Sequence, residues 1–146
     1  METGSPLNIL LVEDEVTLAE MYRIRLEREG YLVRVAADGP SGLQQAIESV
    51  PDLLLLDLRL PGFDGFHLLQ ELRRREETKD LPTIVLSNFD SDDVLARGRQ
   101  LRVLAHLVKS QMPPGRLCAW IQEWACRARW ATRGGRGLGS QELGRR

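Results

Sequence analysis

The sequence predicts an α/β fold in which a five-stranded parallel sheet is covered by helices on both faces. Short apolar runs alternate with helical patterns along most of the chain. The runs are almost continuously apolar, which is typical of strands buried on both faces of a parallel sheet. Four of them end in a polar or charged residue, at the point where the chain leaves the core. Such an alternation of strands and helices is typical of an α/β domain.

The five strand patterns share a short length and flanking turn residues, and they cover residues 8–12, 31–36, 53–57, 81–87 and 104–108. The five helical patterns follow them at about residues 16–29, 40–49, 66–76, 92–101 and 113–128. Gly30 ends the first helix, and Pro40 suits the first turn of the second. Ser91 or an adjacent acid caps the fourth, and Pro113 opens the last.

Polar groups stand at the carboxyl ends of four strands. Glu13 and Asp14 follow the first strand, Asp57 ends the third, Ser87 ends the fourth and Lys109 follows the fifth. In an open parallel sheet these ends meet at one crevice, where such folds bind ligands. Taken singly, each residue is more typical of a helix cap or a solvated loop. Together they predict a site for a divalent cation and a phosphoryl group.

Length and charge predict one domain with a basic tail. The chain has 146 residues and a net charge of −1, which fits a single domain. Six arginines against one acid give residues 127–146 a charge of +5, whereas fourteen basic and twenty acidic residues give residues 1–126 a charge of −6. We expect an N-terminal extension over residues 1–6, a domain over 7–128 and a disordered Gly/Arg-rich tail over 129–146.

Nothing in the sequence predicts export or a membrane span. No run approaches the roughly 18–20 apolar residues that a spanning helix needs, and residues 1–6 do not resemble a secretory signal. Cys118 and Cys126 are eight apart on one predicted helix, which separates them by about 12 Å along its axis. Free thiols that cannot form a bridge fit a reducing compartment, so we expect a cytoplasmic protein.

The residues at the strand ends, with Pro61 and Gly65 in the loop after Asp57, resemble the motifs of response-regulator receiver domains. The resemblance covers about residues 7–128. These CheY-like domains are the phospho-acceptor modules of two-component (phosphorelay) signal transduction. The resemblance implies a doubly wound sheet of order 2-1-3-4-5, as in flavodoxin-like folds. It also implies a signalling phosphoprotein rather than a turnover enzyme, with self-catalysed phosphorylation and dephosphorylation at most.

The resemblance further assigns metal ligands and a phospho-acceptor. Asp57 is expected to accept a phosphoryl group from a histidine kinase or a histidine phosphotransfer protein, giving a 4-aspartylphosphate. Asp14 and Asp57 are expected to bind Mg²⁺, or Mn²⁺, directly. Glu13 is expected to act through water, and the backbone carbonyl of Arg59 to supply a further ligand. Oxygen ligands of this kind suit Mg²⁺.

Ser87 and Lys109 are expected to bind the phosphoryl oxygens, again by resemblance. His106 stands three residues before Lys109, where many relatives carry Tyr or Phe. One hypothesis makes His106 a pH-sensitive switch residue; the alternative is a half-exposed strand histidine. Lys109 is followed by Ser110 where the family often has proline, so a cis bond is not expected there.

Other departures surround the same site. Asn88 follows Ser87 and is expected to narrow access to Asp57, while Phe89 and Arg59 occupy the variable positions that frame the site in relatives. An apolar Phe89 predicts a long-lived acyl phosphate, because it positions hydrolytic water poorly. Arg102 replaces a glycine that is common before the fifth strand, so the turn there must differ.

The last helix carries Trp120 and Trp124 four residues apart, hence on one side. We interpret this stripe mainly as core, since an apolar helix face normally packs on the sheet. The alternative is an exposed patch on the face formed by helix four, strand five and helix five. That face is the usual partner or homodimer surface of the family.

Three functions compete. The first is a stand-alone receiver that binds an output protein, which the sequence does not identify. The second is the receiver part of a longer, DNA-binding regulator, in which the basic tail is a linker or touches nucleic acid; a solvated tail is the simpler interpretation. The third is an aspartyl-phosphate phosphatase, but these commonly have a second Asp where this chain has Arg59.

Overall fold

A computed structural model describes residues 6–60, 64–88 and 91–132, the last four of these by backbone only. The five strands are β1 (Asn8–Val12), β2 (Leu32–Ala36), β3 (Leu53–Asp57), β4 (Thr83–Ser87) and β5 (Ala105–Val108). The helices are α1 (Val16–Arg28), α2 (Gly39–Glu48), α3 (Gly65–Arg73), α4 (Asp92–Gln100) and α5 (Pro114–Thr132). A single 3₁₀ turn at Lys109–Gln111 joins β5 to α5.

All strand pairs are parallel, and the sheet has the order β2-β1-β3-β4-β5. This confirms the predicted five-stranded α/β fold and its strand order. The register aligns Asp57 with Leu86 on β4, and Ser87 with Val108 on β5. The carboxyl ends of the three strands therefore lie side by side at one edge of the sheet.

Alternate residues of the central strands face opposite cores. Ile9, Leu11 and Leu55 belong to the core beneath α1 and α5, while Leu10 and Leu54 belong to the core beneath α2 and α3. All five are fully buried, and burial of a leucine or isoleucine side chain stabilises the fold by roughly 1.5–3 kcal/mol. Because both faces are covered, the strands contain almost no polar residue until their ends, where functional groups then appear.

Two helix ends differ from the predicted ones by three residues or more. The helix α3 ends at Arg73 instead of residue 76, because the Thr78 hydroxyl donates a 2.6 Å hydrogen bond to the Leu72 carbonyl that would otherwise extend the helix. The helix α5 continues to Thr132 instead of stopping at Ala128, since no glycine or proline intervenes before Gly134. Residues 133–146 of the predicted tail and residues 1–5 lie outside the described parts.

Two local predictions are confirmed, the cap of α4 and the core position of the tryptophan stripe. The Ser91 side chain accepts a hydrogen bond from the Val94 amide and caps α4. Trp124 is buried, and Trp120 is half-buried against the same core. Cys118 and Cys126 are both free thiols. Among the described helices, none combines the length and apolar character that a membrane span requires.

The guanidinium of Arg73 connects the end of α3 to the segment before β4 and to the turn between α4 and β5. It donates hydrogen bonds to the carbonyls of Leu81 and Leu101 at 2.9 and 2.8 Å, and to that of Lys79 at 3.1 Å. Burial, reinforced by repulsion from Arg102, lowers the pKa of Arg73 to about 10. Arg73 thus remains a cation at neutral pH and is held by backbone carbonyls.

The same turn contains Arg102 at φ 61°. This is the left-handed region that glycine normally occupies, and it costs other residues roughly 1–2 kcal/mol. The Arg102 amide donates to the Arg99 carbonyl, and its guanidinium donates to the Lys79 carbonyl at 3.0 Å. The sequence predicted an altered turn here, but the backbone keeps a glycine-like conformation despite the arginine.

Candidate functional site

The ends of β1, β3, β4 and β5 bring the predicted polar residues together. Glu13 is 1% exposed, and Asp57 and Ser87 are each 4% exposed. Asp14, in contrast, is exposed to solvent. Each buried group directly follows or ends an apolar strand, so its position is fixed by the sheet rather than by a loop. The site is therefore a rigid floor of buried polar groups with one carboxylate at its rim.

Lys109 bridges two of the buried carboxylates. Its Nζ lies 2.8 Å from Glu13 Oε1 and 3.0 Å from Asp57 Oδ2. Burial alone would lower the pKa of Lys109, but the hydrogen bonds to Glu13 and Asp57 outweigh burial and raise it. Lys109 is therefore held as a cation between the two acids, within reach of any group bonded to Asp57.

Burial raises the pKa of the Glu13 carboxyl, and the hydrogen bond from Lys109 offsets only part of that effect. Repulsion from Asp57 adds to the rise. The second oxygen of Glu13 accepts a hydrogen bond from the Glu15 amide at 3.2 Å. Glu13 is thus a carboxylate that is costly to keep ionised and that gains from a nearby positive charge.

The backbone around Asp57 is also fixed. The Arg59 amide donates to Asp57 Oδ1 at 3.1 Å, so both carboxylate oxygens have a partner. The Gly65 amide donates to the Leu58 carbonyl at 2.8 Å. A Cβ on Gly65 would lie 2.7 Å from the Asp57 carbonyl oxygen, so only glycine allows α3 to begin this close to β3. The sequence predicted Gly65 in the loop before α3, whereas the structure makes it the first residue of that helix. Its close contact with the β3 backbone explains why glycine is needed there.

The carboxylates of Glu13, Asp14 and Asp57 form a group in which one oxygen from each lies within 4.8 Å of the other two. Hard oxygen donors that converge in this way suit Mg²⁺ or Mn²⁺. The exposed Asp14 leaves the cluster open to solvent, and Mg²⁺ usually keeps several water ligands. The donor set therefore fits a divalent cation.

The hydroxyl of Ser87 lies 2.8 Å from Nε2 of His106. These residues sit on adjacent strands, and His106 is half-buried. The sequence predicted both residues near the site, but it gave no indication of their direct contact. The hydrogen bond connects the predicted phosphoryl ligand to the predicted switch position.

A second contact ties the segment after Lys109 to the body of the domain. The buried Tyr22 hydroxyl, on α1, donates to the Met112 carbonyl at 2.9 Å. Burial raises the pKa of this phenol, so it stays a donor at neutral pH. The contact closes the 3₁₀ turn that begins at Lys109. Every described peptide bond is trans.

A cavity of about 640 Å³ opens above these groups. The predicted site residues that line it are Glu13, Asp14, Asp57, Arg59, Ser87, Asn88 and Lys109. Asn88 is exposed. Pro61 and Phe89, which were predicted to shape the loop and the access route, lie outside the described residues.

One wall of this cavity was not predicted from the sequence. That wall comes from the first turn of α3 and from α4, and it includes Asp64, Phe66, Ser91, Val94 and Arg97. The guanidinium of Arg97 lies 4.5 Å from the centroid of the Phe66 ring. The sequence predicted only that a helix begins near Phe66, and no sequence signal joined this residue to an arginine 31 positions later.

A doubly wound parallel sheet with a lysine-bridged acidic cluster at the ends of its strands defines a class, the phospho-acceptor domains with a flavodoxin-like fold. The model of the response regulator receiver domain family matches residues 9–122. The chain belongs to this family, and it is therefore a module of two-component signalling, in which the receiver is a phospho-acceptor and not a classical enzyme.

Solved structures agree with this assignment. The chemotaxis protein CheY4 of Vibrio cholerae is 26% identical and superposes with a TM-score of 0.76, over 82% of this chain and 98% of the other. The Mn²⁺-bound form of the response regulator Rcp1 is 27% identical with a TM-score of 0.69, over 75% and 91% of the two chains. A bound Mn²⁺ in a relative is consistent with the acidic cluster described above.

Curated relatives include regulators longer than this chain. The DNA-binding dual master transcriptional regulator RpaA of Synechocystis is 43% identical over 54% of this chain and 33% of its own length. The phosphate regulon transcriptional regulatory protein PhoB of Escherichia coli is 34% identical over 72% and 46%. The probable methanogenesis regulatory protein FilR2 of Methanothrix harundinacea is 35% identical over 75% and 76%. The matches thus span a third to a half of the transcriptional regulators RpaA and PhoB.

Proposed function

We propose that Asp57 accepts a phosphoryl group from a phosphohistidine of a histidine kinase or phosphotransfer protein, in a reaction that requires Mg²⁺. The observation that carries this proposal is the position of Lys109, whose Nζ lies 3.0 Å from Asp57 Oδ2. A cation at that distance from a buried carboxylate favours transfer of a dianionic group onto it. The free thiols of Cys118 and Cys126 support a cytoplasmic location for the exchange.

In the transfer, an oxygen of Asp57 attacks phosphorus while the bond from phosphorus to the donor nitrogen breaks. The Arg59 amide fixes one Asp57 oxygen at 3.1 Å and thereby orients the carboxylate. Lys109 then pairs with the phosphoryl oxygens, and the Ser87 hydroxyl donates to one of them. Asp14, Asp57 and the Arg59 carbonyl would hold the cation directly and Glu13 would act on it through water; when bound, the cation would neutralise charge on the phosphoryl group.

Phosphorylation is proposed to change the face formed by α4, β5 and α5. In the tautomer of His106 whose Nε2 accepts from Ser87, the hydroxyl can donate to the phosphoryl group only by giving up that hydrogen bond. His106 then changes its contacts on β5, next to α4. A new charge near −2 that redirects a local hydrogen bond is a common basis for such switches. We propose that this face binds an output protein or a second copy of the chain.

A second candidate is the receiver part of a longer, DNA-binding regulator. It is favoured by the length of PhoB and RpaA relative to the matched region, and by the basic character of residues 127–146. Salt-sensitive binding to nonspecific DNA that is lost when residues 133–146 are deleted would support a nucleic-acid contact by the tail. DNA binding that is unchanged by the deletion would show that the tail does not contact nucleic acid.

The experiment that tests the main proposal is intact-mass measurement after incubation with acetyl phosphate and Mg²⁺. We expect the wild type to gain the mass of one phosphoryl group, which is labile to base. Asp57→Ala should show no gain, and Asp80→Ala, which removes an exposed aspartate far from the site, should behave as the wild type. A gain that persists in Asp57→Ala would contradict the proposal. If small donors produce no gain in mass, the measurement should be repeated with a phosphohistidine protein as the donor.

A further inference from the structure

The cavity extends beyond the space that a phosphoryl group and a cation would fill. Its far wall is built by Phe66, Val94 and Arg97, on α3 and α4. This wall lies in the same cavity as Asp57 but takes no part in the contacts proposed above for the phosphoryl group. It is therefore available to the part of a phosphoryl donor that is not transferred.

Arg97 differs from Lys109 in its surroundings. Lys109 is engaged by Glu13 and Asp57. Within the described parts of the chain, no carboxylate pairs with Arg97, and its contact is with the face of the Phe66 ring at 4.5 Å. An aromatic face attracts a guanidinium and limits its orientations. Among the described residues, the Phe66 ring is thus the contact that positions the Arg97 guanidinium at the wall of the cavity.

We propose that Arg97 is a specificity-determining residue for the phosphoryl donor, and that it favours donors whose leaving group is a carboxylate. The inference rests on the function proposed above. A planar guanidinium matches a carboxylate in shape and charge. Phe66 acts as a positioning residue through the contact of its ring with the Arg97 guanidinium.

Two small phosphoryl donors, acetyl phosphate and phosphoramidate, differ in the charge of their leaving group. Comparing them distinguishes this proposal from a general effect of positive charge on phosphorylation. With acetyl phosphate, the bond between phosphorus and the acetate oxygen breaks, its electron pair stays on acetate, and a bond from Asp57 oxygen to phosphorus forms. With phosphoramidate, the phosphorus–nitrogen bond breaks and the protonated nitrogen leaves as neutral ammonia. Negative charge grows on the leaving group only in the first reaction, so only that reaction gains from Arg97.

The test compares initial rates of phosphorylation by both donors, at the same Mg²⁺ concentration, for wild type, Arg97→Gln and Arg99→Gln. Arg99 is the matched control, an exposed arginine on the same helix that does not line the cavity. We expect Arg97→Gln to slow the reaction with acetyl phosphate by about three- to fivefold, the effect of an ion pair open to solvent. Its rate with phosphoramidate, and both rates of Arg99→Gln, should stay within about twofold of the wild type.

Three outcomes would overturn the inference and leave the proposed function intact. They are equal slowing with both donors in Arg97→Gln, equal effects of Arg97→Gln and Arg99→Gln, or no effect of Arg97→Gln. A wild type that gains no phosphoryl group from either donor or from a phosphohistidine protein, or a gain retained in Asp57→Ala, would overturn the proposed function as well. Phe66→Leu, with its fold checked by circular dichroism, should repeat the selective loss with acetyl phosphate.

Discussion

Ser87 Oγ lies 2.8 Å from His106 Nε2, so the hydroxyl expected to bind the phosphoryl group is already hydrogen-bonded to the neighbouring strand. When His106 carries its proton on Nδ1, Nε2 accepts from the Ser87 hydroxyl, and phosphorylation and this contact then compete for the same hydroxyl proton. A neutral hydrogen bond contributes roughly 0.5–1.5 kcal/mol, which is enough to alter the fraction of molecules that hold phosphate.

His106→Phe keeps a ring of similar size and removes the nitrogen that meets Ser87. We expect the steady-state phosphorylated fraction with acetyl phosphate to rise, with its equilibrium constant up by about two- to tenfold. Intact mass measures this fraction directly. His67→Phe, on the exposed side of α3, is the control and should leave the fraction unchanged. Equal fractions in His106→Phe and wild type would show that the hydrogen bond does not limit the reaction.

Glu13→Gln should stabilise the domain at neutral pH, because the Glu13 carboxyl is harder to ionise in the folded state than in the unfolded chain. Burial raises the pKa of Glu13 above its ordinary value of 4.5, so the folded state holds its proton more tightly than the unfolded chain. Ionisation of Glu13 therefore lowers the free energy of unfolding. This loss is complete above the pKa that Glu13 has in the folded state, and it vanishes as the pH falls below 4.5. Urea unfolding across this range should show the gain at neutral pH and its loss in acid. A gain that grows in acid would contradict the sign, and the exposed Glu15→Gln serves as control.

Asp14→Asn should weaken binding of Mn²⁺ by at least about tenfold, because it removes a charged ligand from the acidic cluster. Free Mn²⁺ can be followed by electron paramagnetic resonance in a titration. Since Asp14 is exposed, the free energy of unfolding without metal should change little. Glu15→Gln alters a neighbouring acid outside the cluster and should bind Mn²⁺ nearly as the wild type does. Equal affinities in both variants would place the cation elsewhere.

Gly65→Ala should destabilise the domain by about 1–3 kcal/mol, as overpacking does. The new Cβ would lie 2.7 Å from the Asp57 carbonyl oxygen and 3.0 Å from Leu58 Cα, both of which belong to the backbone. Gly98→Ala is the comparison, since its Cβ meets only the Val103 side chain at 3.2 Å. It should be neutral or should stabilise α4 by up to about 1 kcal/mol. Urea denaturation tests both, and similar values for the two would argue against the tight contact.

Arg102→Gly should raise the free energy of unfolding by roughly 0.5–1 kcal/mol, because it relieves a left-handed conformation at φ 61°. The lost hydrogen bond to the exposed Lys79 carbonyl offsets part of that gain. Arg99→Gly makes the same substitution inside α4 and should lower stability by about 1 kcal/mol. Effects of the same sign in the two variants would contradict the conformational explanation.

The parallel sheet explains why so much of the site could be predicted. Glu13, Asp57 and Lys109 each follow an apolar strand, and parallel strands place such positions at one edge whatever the intervening helices do. The wall containing Phe66 and Arg97 could not be found in this way, because its geometry depends on how two helices pack across the crevice. The end of α3 depended on a hydroxyl of Thr78 that reaches back to Leu72, and propensity alone does not reveal such a contact.

The backbone carbonyls that bind the Arg73 guanidinium limit how α4 can move when a phosphoryl group is added near the amino end of that helix. Carbonyls from Leu81 and Leu101 hold the guanidinium at 2.9 and 2.8 Å, so the carboxyl end of α4 is anchored to α3 and to the start of β4. The amino end, which begins beside Ser91 at the cavity, has no such anchor among the described contacts. We therefore expect α4 to rotate about a pivot at Leu101 when Asp57 is phosphorylated. Its displacement should be largest at the end nearest Asp57 and close to zero at Arg102.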